Sequence, residues 1–401
     1  MALLRPFRAV RPARANAAAV SSVPYDVVSA DEARALAAGN PLSFLHVTRS
    51  EIDLPAGTDP YAPQVYAKAR ENFETLRTAA PMIAEDEPSL YFYRLRMGSH
   101  EQTGIAACFS LDEYERDLIK KHERTRRDKE DDRTRHIVQL RAQTGIVFLT
   151  YKASDRVDRL CRAVTADAPL YDFRADDGVH HTVWRVDARE ARELVDAFAR
   201  VPALYIADGH HRAASAARAH GELGDGESGT FIAVAFPDNE MNILPYNRVV
   251  KDLGGRTPAQ FLTAIRGKLP VGDGTPSPRR KGEVSMYLDG TWYAIDLSGA
   301  ARSDGSRAQS LDVALLEHHV LGPLLGIGDI RTDKRIDFVG GARGTAALEA
   351  AVTSGQGAVA FSMFPVTIDD LMSIADEGGI MPPKSTWFEP KLRDGLLSHV
   401  F

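Results

Sequence analysis

The chain has 401 residues, 44% of them hydrophobic and 26% charged, with a formal net charge of −6. That length accommodates two or three domains or one elaborate one, the composition is ordinary for a soluble globular protein, and the acidic balance argues against a nonspecific grip on nucleic acid. No window approaches eighteen uninterrupted apolar residues, so no membrane span is expected, and the two cysteines, Cys108 and Cys161, form no CxxC pair, which fits a reducing compartment without a disulfide framework.

Ser29-Ala30-Asp31-Glu32, followed by an alanine-rich run, predicts a capped helix ended by Gly39. Ser43 to Thr48 predicts a strand and Pro63 to Thr78 a helix with a polar face. Leu90 to Met97 alternates in strand fashion, with Gly104 to Phe109 as its partner. Lys120 to His136 holds no clearly apolar residue, but Glu123 and Arg127, Arg126 and Glu130, Arg127 and Asp131, and Asp131 and Arg135 stand four apart with opposite sign. That spacing predicts a helix held by its own ion pairs. It is either fully solvated or lines a polar cleft. In the second case His122, Glu123, Arg124, Thr125, Lys129, Glu130 and Arg133 become candidate phosphate or substrate contacts.

Gly145 to Tyr151 reads as a strand, Tyr171 to Val186 as a hairpin and Glu190 to Ala199 as a helix. The most informative stretch comes next, Ala203 to His220. Leu204, Tyr205 and Ile206 form a short apolar strand, Asp208 falls at its end, Gly209 permits a sharp turn, and an alanine-rich helix begins beyond. Two histidines and Arg212 therefore stand at or near a helix start, where unpaired N–H groups and the positive dipole end favour an anion. Arg212 adds a planar fork for phosphate or carboxylate oxygens, and Asp208 a carboxylate for proton transfer or metal holding. The bland alternative is a capping Asp208 with surface histidines.

Phe231 to Phe236 predicts a buried strand, with Met241 to Val250 returning as its pair. Leu269 to Gly282, rich in Gly, Pro, Ser and Arg, marks a loop or soft boundary. Val284 to Leu297 is a hairpin about Asp289-Gly290. A helix at Leu311 to Val320, strands at Ile336 to Val339 and Ala358 to Phe364, and a helix at Thr367 to Asp376 complete the pattern. The expected organisation is an α/β fold with a mixed sheet core and additional α+β segments. Residues 1–110 form an N-terminal segment, 111–268 a central segment with the polar helix and the Asp208 site, and 283–401 a C-terminal segment.

Asp208-Gly209-His210-His211-Arg212 resembles the D-G-H-x-R box of the ParB/sulfiredoxin superfamily, which includes free serine kinases and nucleotide-binding partition proteins. The wider chain resembles the DUF1015 family. That likeness runs through Phe7 to Pro12, Val23 to Ser29, Asn40 to His46, the His122-Glu123 run, the Asp208 box and Met381 to Lys391. Because it begins at Phe7, the Arg- and Ala-rich start is not read as a transit peptide, and the cytoplasm is the expected compartment. The cysteine of sulfiredoxin boxes is missing here, which argues against sulfinic acid repair.

The resemblance implies a ParB/sulfiredoxin-like element and phosphoryl transfer between a nucleotide, ATP or ADP, and free serine or phosphoserine, with Mg²⁺ implied by the chemistry. Asp208, His211 and Glu123 are the candidate catalytic residues. Gly209, His210, Arg212, Arg124 and Lys384 are candidates for nucleotide and phosphate binding, and Arg248 for the amino acid. No metal ligand is assigned. The histidine doublets His180-His181 and His318-His319 lack the spacing of a helical metal site. A nucleotide-gated binding protein, or a phosphatase or hydrolase on the same Asp-His pair, are the alternatives. The expected partner is a small molecule, and homo-oligomer formation stays open.

Overall fold

A computed structural model describes residues 3–79, 82–224, 226–300 and 305–401. The chain divides into two compact units, Met1–Met241 with Pro390–Phe401, and Asn242–Glu389.

The first unit holds a nine-stranded mixed sheet. Its strands are β1 (Leu4–Arg5), β2 (Tyr91–Met97), β3 (His100–Ser110), β4 (Ile119–Lys120), β5 (Val147–Tyr151), β6 (Tyr171–Arg174), β7 (His180–Arg185), β8 (Leu204–Asp208) and β9 (Thr230–Pro237). The order is β4-β8-β5-β9-β3-β2-β7-β6, with β1 paired to β3. β8 lies parallel to β4, β5 lies parallel to β9, and the remaining pairs are antiparallel. Every residue of β5 and β9 is buried, as near-continuous apolar strands at the centre of a covered sheet must be. Phe109, Tyr151, Phe198 and Phe231 interlock in this core, with ring centroids 5.0 to 6.3 Å apart. β3 approaches β9 closely at Gly104, where a Cβ would lie 2.6 Å from Val234 Cγ1 and 2.9 Å from the Ala235 carbonyl.

Two helices of this unit frame the Asp208 turn, α1 (Arg127–Leu140) and α2 (His210–Leu223). α1 starts at Arg127 and not at Lys120. The backbone N–H groups of His122 and Arg126 are donated to His210 Nε2 and His211 Nε2, 3.4 and 2.9 Å away, so this stretch leaves the helical path. Glu130 and Asp131, expected to pair along α1, instead accept from Arg218 on α2, and Arg133 pairs with Asp132. Packing against a second helix redirects charges that spacing alone would pair locally. Ser43 to Thr48 also differs from expectation: Leu45–Thr48 is a helical turn, because adjacent Val47 and Thr48 are both buried beside Phe44 and Phe73.

The second unit holds a six-stranded antiparallel sheet of β10 (Tyr246–Val250), β11 (Val271–Asp273), β12 (Glu283–Leu288), β13 (Thr291–Asp296), β14 (Ile336–Gly340) and β15 (Val359–Ser362), in the order β11-β13-β12-β15-β10-β14. Asp289 and Gly290 turn the β12–β13 hairpin with φ of 48° and 77°, as a two-residue turn requires. Tyr246–Val250 does not return onto β9; it pairs with β14 and β15. The segments expected at 1–110 and 111–268 share one sheet, since β3 pairs with β9, and the chain crosses to the second unit after Met241. The Gly- and Pro-rich stretch at 269–282 lies inside that unit, with β11 as its edge strand.

Candidate functional site

The predicted strand, turn and helix are present. β8 ends at Asp208, Gly209 takes φ 94°, and α2 begins at His210. A bulge against β5 between Ile206 and Asp208 shifts the strand end out of regular register. Only a residue without Cβ enters such a turn cheaply, and a Cβ here would also stand 3.4 Å from Val147 Cα and Arg212 Cδ.

Asp208 is 31% exposed although protein surrounds it. Its Oδ2 lies 2.9 Å from Nζ of Lys391, which is 18% exposed. Burial alone raises the Asp208 pKa, but the charges of Lys391 and Arg212, with the Lys391 hydrogen bond, hold the carboxyl well below the usual range.

His210 is buried, and burial with the neighbouring His122 pushes its pKa well down. Because its Nε2 accepts from the His122 amide, the neutral ring carries its proton on Nδ1, which lies 4.0 Å from the Glu123 carboxylate. His122 packs edge-on against His210 at 4.5 Å, and burial lowers its pKa to about 4. Two neutral imidazoles therefore pack together at the start of α2. Glu123 is 41% exposed, His211 is half-buried, and Arg124 is exposed.

Arg212 is held in place by the protein. It is 7% exposed; Nη1 donates to the Ile146 carbonyl at 2.6 Å and Nη2 to both Asp26 oxygens at 2.7 and 2.8 Å. Nη1 and Nη2 of the fork predicted for a ligand are engaged by the protein, while the buried Nε has no hydrogen-bond partner and the side chain lines a cavity with Tyr25, Arg133 and Thr144. Asp26 is its counter-ion, and buried Asp394 adds a second carboxylate nearby.

Lys384 lies in the second unit with φ 58°. Its carbonyl accepts from Arg248 at 3.1 Å, and its ammonium lies 5.4 Å from the Tyr246 ring. Arg248 is fully buried, which lowers its pKa to about 10. His181 hydrogen-bonds Tyr93 and stacks on Phe173, a core role, and among the described residues no group of three or more His, Cys, Asp or Glu could hold a metal. No described helix is long and apolar enough to cross a membrane.

Sequence reasoning missed Lys391 as the partner of Asp208. It closes the Met381 to Lys391 run that carries the family likeness, but only the tertiary structure sets it on Asp208.

A family model described as "Protein of unknown function (DUF1015)" matches residues 4–314. No curated protein matches the chain. Among solved structures, a conserved hypothetical protein from Pyrococcus furiosus is 14% identical with a TM-score of 0.37, covering 73% of this chain and 94% of that one. SbnI with C-terminal truncation from Staphylococcus aureus is 12% identical with a TM-score of 0.40, covering 72% and 85%. A free serine kinase in complex with AMP is 12% identical with a TM-score of 0.37, covering 73% and 91%.

Proposed function

This chain belongs to the DUF1015 family, and from that premise we propose that it transfers a phosphoryl group between a nucleotide, ATP or ADP, and free L-serine, in either direction. The observation that carries the proposal is the join of β8 to α2. Gly209 turns the chain so that the helix opens beside a partly exposed carboxylate–ammonium pair, with Glu123 and His211 close by. A helix start with an adjacent cation suits phosphate oxygens. The choice of serine rests on the D-G-H-x-R likeness.

Transfer to serine needs a base for the hydroxyl proton. Asp208 is poorly suited, since a carboxyl held so low gives little driving force for taking a proton. Glu123 fits better: it is the more exposed of the two carboxylates and faces the Nδ1–H side of His210. Glu123 takes the proton as serine Oγ bonds to the terminal phosphorus. The bond from that phosphorus to the bridging oxygen breaks, and the shortened nucleotide leaves. The reaction calls for Mg²⁺, which would arrive bound to the substrate phosphates, since among the described residues no group of three or more His, Cys, Asp or Glu stands ready to hold it. Such an ion neutralises phosphate charge.

The test is direct. Purified protein with Mg²⁺, L-serine and ATP or ADP should form phosphoserine, and phosphoserine with the shortened nucleotide should run the reverse. No turnover in either direction across the common nucleotides refutes the proposal.

A further inference from the structure

We propose that the cavity between α1, α2 and the sheet is a binding site for a small carboxylate, with Nε–H of Arg212 as its main donor. This goes beyond the proposed function and does not depend on phosphoryl transfer. The cavity lies inside the first unit and is lined by Tyr25, Arg133, His136, Thr144, Gly145 and Arg212, among others. Its volume is about 30 Å³. One water needs roughly 10–15 Å³, so a carboxylate group fits there and a phosphoryl group does not.

Arg212 supplies the first ground. Its side chain is 6% exposed, and Nη1 and Nη2 are engaged by the Ile146 carbonyl and Asp26. Nε is buried without a hydrogen-bond partner. An unmet donor on a charged group costs more than a neutral one, so this nitrogen favours an acceptor. Gly145 leaves room for one. A Cβ at 145 would stand 3.8 Å from Nε and 3.4 Å from Cδ of Arg212, so the bare backbone keeps that flank of the guanidinium open to the cavity.

The charges around the cavity select the ligand. Arg133 is a second cation on the wall, with Nε on Asp132; its guanidinium lies 4.3 Å from the Tyr25 ring and that of Arg212 5.7 Å from the same ring. Two guanidiniums exclude a cationic ligand. An apolar ligand would leave the Nε–H unmet. A polyanion has no room, and it would be repelled by Asp26 and Asp132, which already pair with these cations. His136 adds no charge: its Nε2 donates to the Val47 carbonyl at 3.0 Å, and burial lowers its pKa to about 4. Asp394, a third carboxylate near Arg212, is raised to about 7 by burial and carries little negative charge at pH 6. What remains is a compact monoanion with planar acceptor oxygens, the shape that a guanidinium matches. The Thr144 hydroxyl is a further donor on the wall.

Acetate is the probe, with chloride and L-serine beside it, titrated at pH 6 into the full-length protein labelled with ¹⁵N-arginine. The expected result is a saturable shift of one arginine Nε–H resonance, missing in Arg212→Lys, with a dissociation constant on the order of 1–10 mM. Gly145→Ala places a methyl in the cavity with no contact under 3.4 Å, so it should fold and weaken acetate at least about 10-fold. Thr144→Val removes a hydroxyl at nearly constant shape and should weaken it about 3- to 10-fold. These two variants carry the test if Arg212→Lys fails to fold. No saturable shift in the wild type, wild-type affinity in Gly145→Ala, or chloride binding as tight as acetate each overturn the inference. L-serine moving the same resonance, with the same loss in Gly145→Ala, supports it and gives the carboxylate to a free amino acid. Acetate binding without serine binding supports it and gives the carboxylate to a simple acid. Neither arm measures phosphoserine, so failure here leaves the proposed function untouched.

Discussion

Asp394→Asn should stabilise the protein at neutral pH relative to acid pH. Asp394 is 1% exposed, its Oδ2 has no hydrogen-bond partner, and Asp26 lies close enough to repel it. Burial raises its carboxyl from 3.8 to about 7, with the Asp26 charge reinforcing and Arg212 opposing. Linkage sets the sign. Below the ordinary carboxylate range the group is protonated whether the chain is folded or not, and it contributes nothing to pH dependence. As pH rises toward 7 the unfolded chain releases this proton while the folded chain keeps it, so stability falls. Each pH unit in that window costs about 1.4 kcal/mol. From pH 5 to pH 7, where the folded group is half ionised, the loss from this one group is therefore about 2 kcal/mol, flattening above. An asparagine is shaped like the protonated acid but does not titrate. Whatever constant offset its amide introduces beside Arg212 cancels when the variant is compared with the wild type at two pH values. Urea unfolding at pH 5, 6, 7 and 8 and fixed ionic strength measures the difference in unfolding free energy. It should grow in favour of the variant by about 2 kcal/mol up to pH 7 and then level off. A difference that is flat with pH, or that shrinks, would mean the carboxyl is ionised in the fold and Arg212 fully compensates it.

Arg212→Met leaves Asp26 and Asp394 beside an apolar stem and should cost about 3–5 kcal/mol in urea unfolding; a loss under about 1 kcal/mol would show that the guanidinium is not a strut. Gly209→Ala forces a left-handed conformation on a residue with a Cβ and should cost about 1–2 kcal/mol, and an unchanged melting temperature would contradict the turn described. Glu123→Gln should lower phosphoserine formation about 10²- to 10⁴-fold while nucleotide affinity and unfolding midpoint stay put. A near-normal rate would transfer the base role elsewhere.

The local frame of the site was legible in the sequence because it is local. Leu204 to Ile206, Asp208, Gly209 and the alanines beyond them encode a strand, a turn and a helix within one short stretch, and the structure forms them there. The β2–β3 and β12–β13 pairings and the helix capped by Thr367 and Asp370 were legible for the same reason. What failed was anything decided at a distance. Opposite charges four apart along 120–136 are a true helix signal, but Glu130 bonds to Arg218, Arg133 stacks on Tyr25, and the Arg126 amide turns to an α2 histidine. Val47 and Thr48 look β-prone alone and become a helical turn when both must be buried. Met241 to Val250 matched a return strand in period and length. Nothing in its composition says that its partners lie near residues 338 and 360. Lys384 and Lys391 are chemically alike in sequence, and only the fold distinguishes them.

The D-G-H-x-R box then has a physical explanation that differs from its surface appeal. A row of polar residues at a helix start invites the idea that each one touches the ligand. In this protein the first and last members are engaged inward or by a neighbour: Arg212 anchors the helix start to Asp26 and the Ile146 carbonyl, and Asp208 holds Lys391. His210 is kept neutral by burial, and its position fixes which of its nitrogens faces Glu123. Gly209 supplies the geometry that lets all three converge. Three members of the box thus hold contacts with residues from elsewhere in the chain: Arg212 with Asp26, His210 with Glu123 and Asp208 with Lys391. Transplanting Asp208 to Arg212 onto another strand–turn–helix should therefore destabilise the host unless a carboxylate for the arginine and a lysine for the aspartate are transplanted with it. Without them the graft leaves a buried guanidinium unpaired, an arrangement that destabilises before it can bind anything.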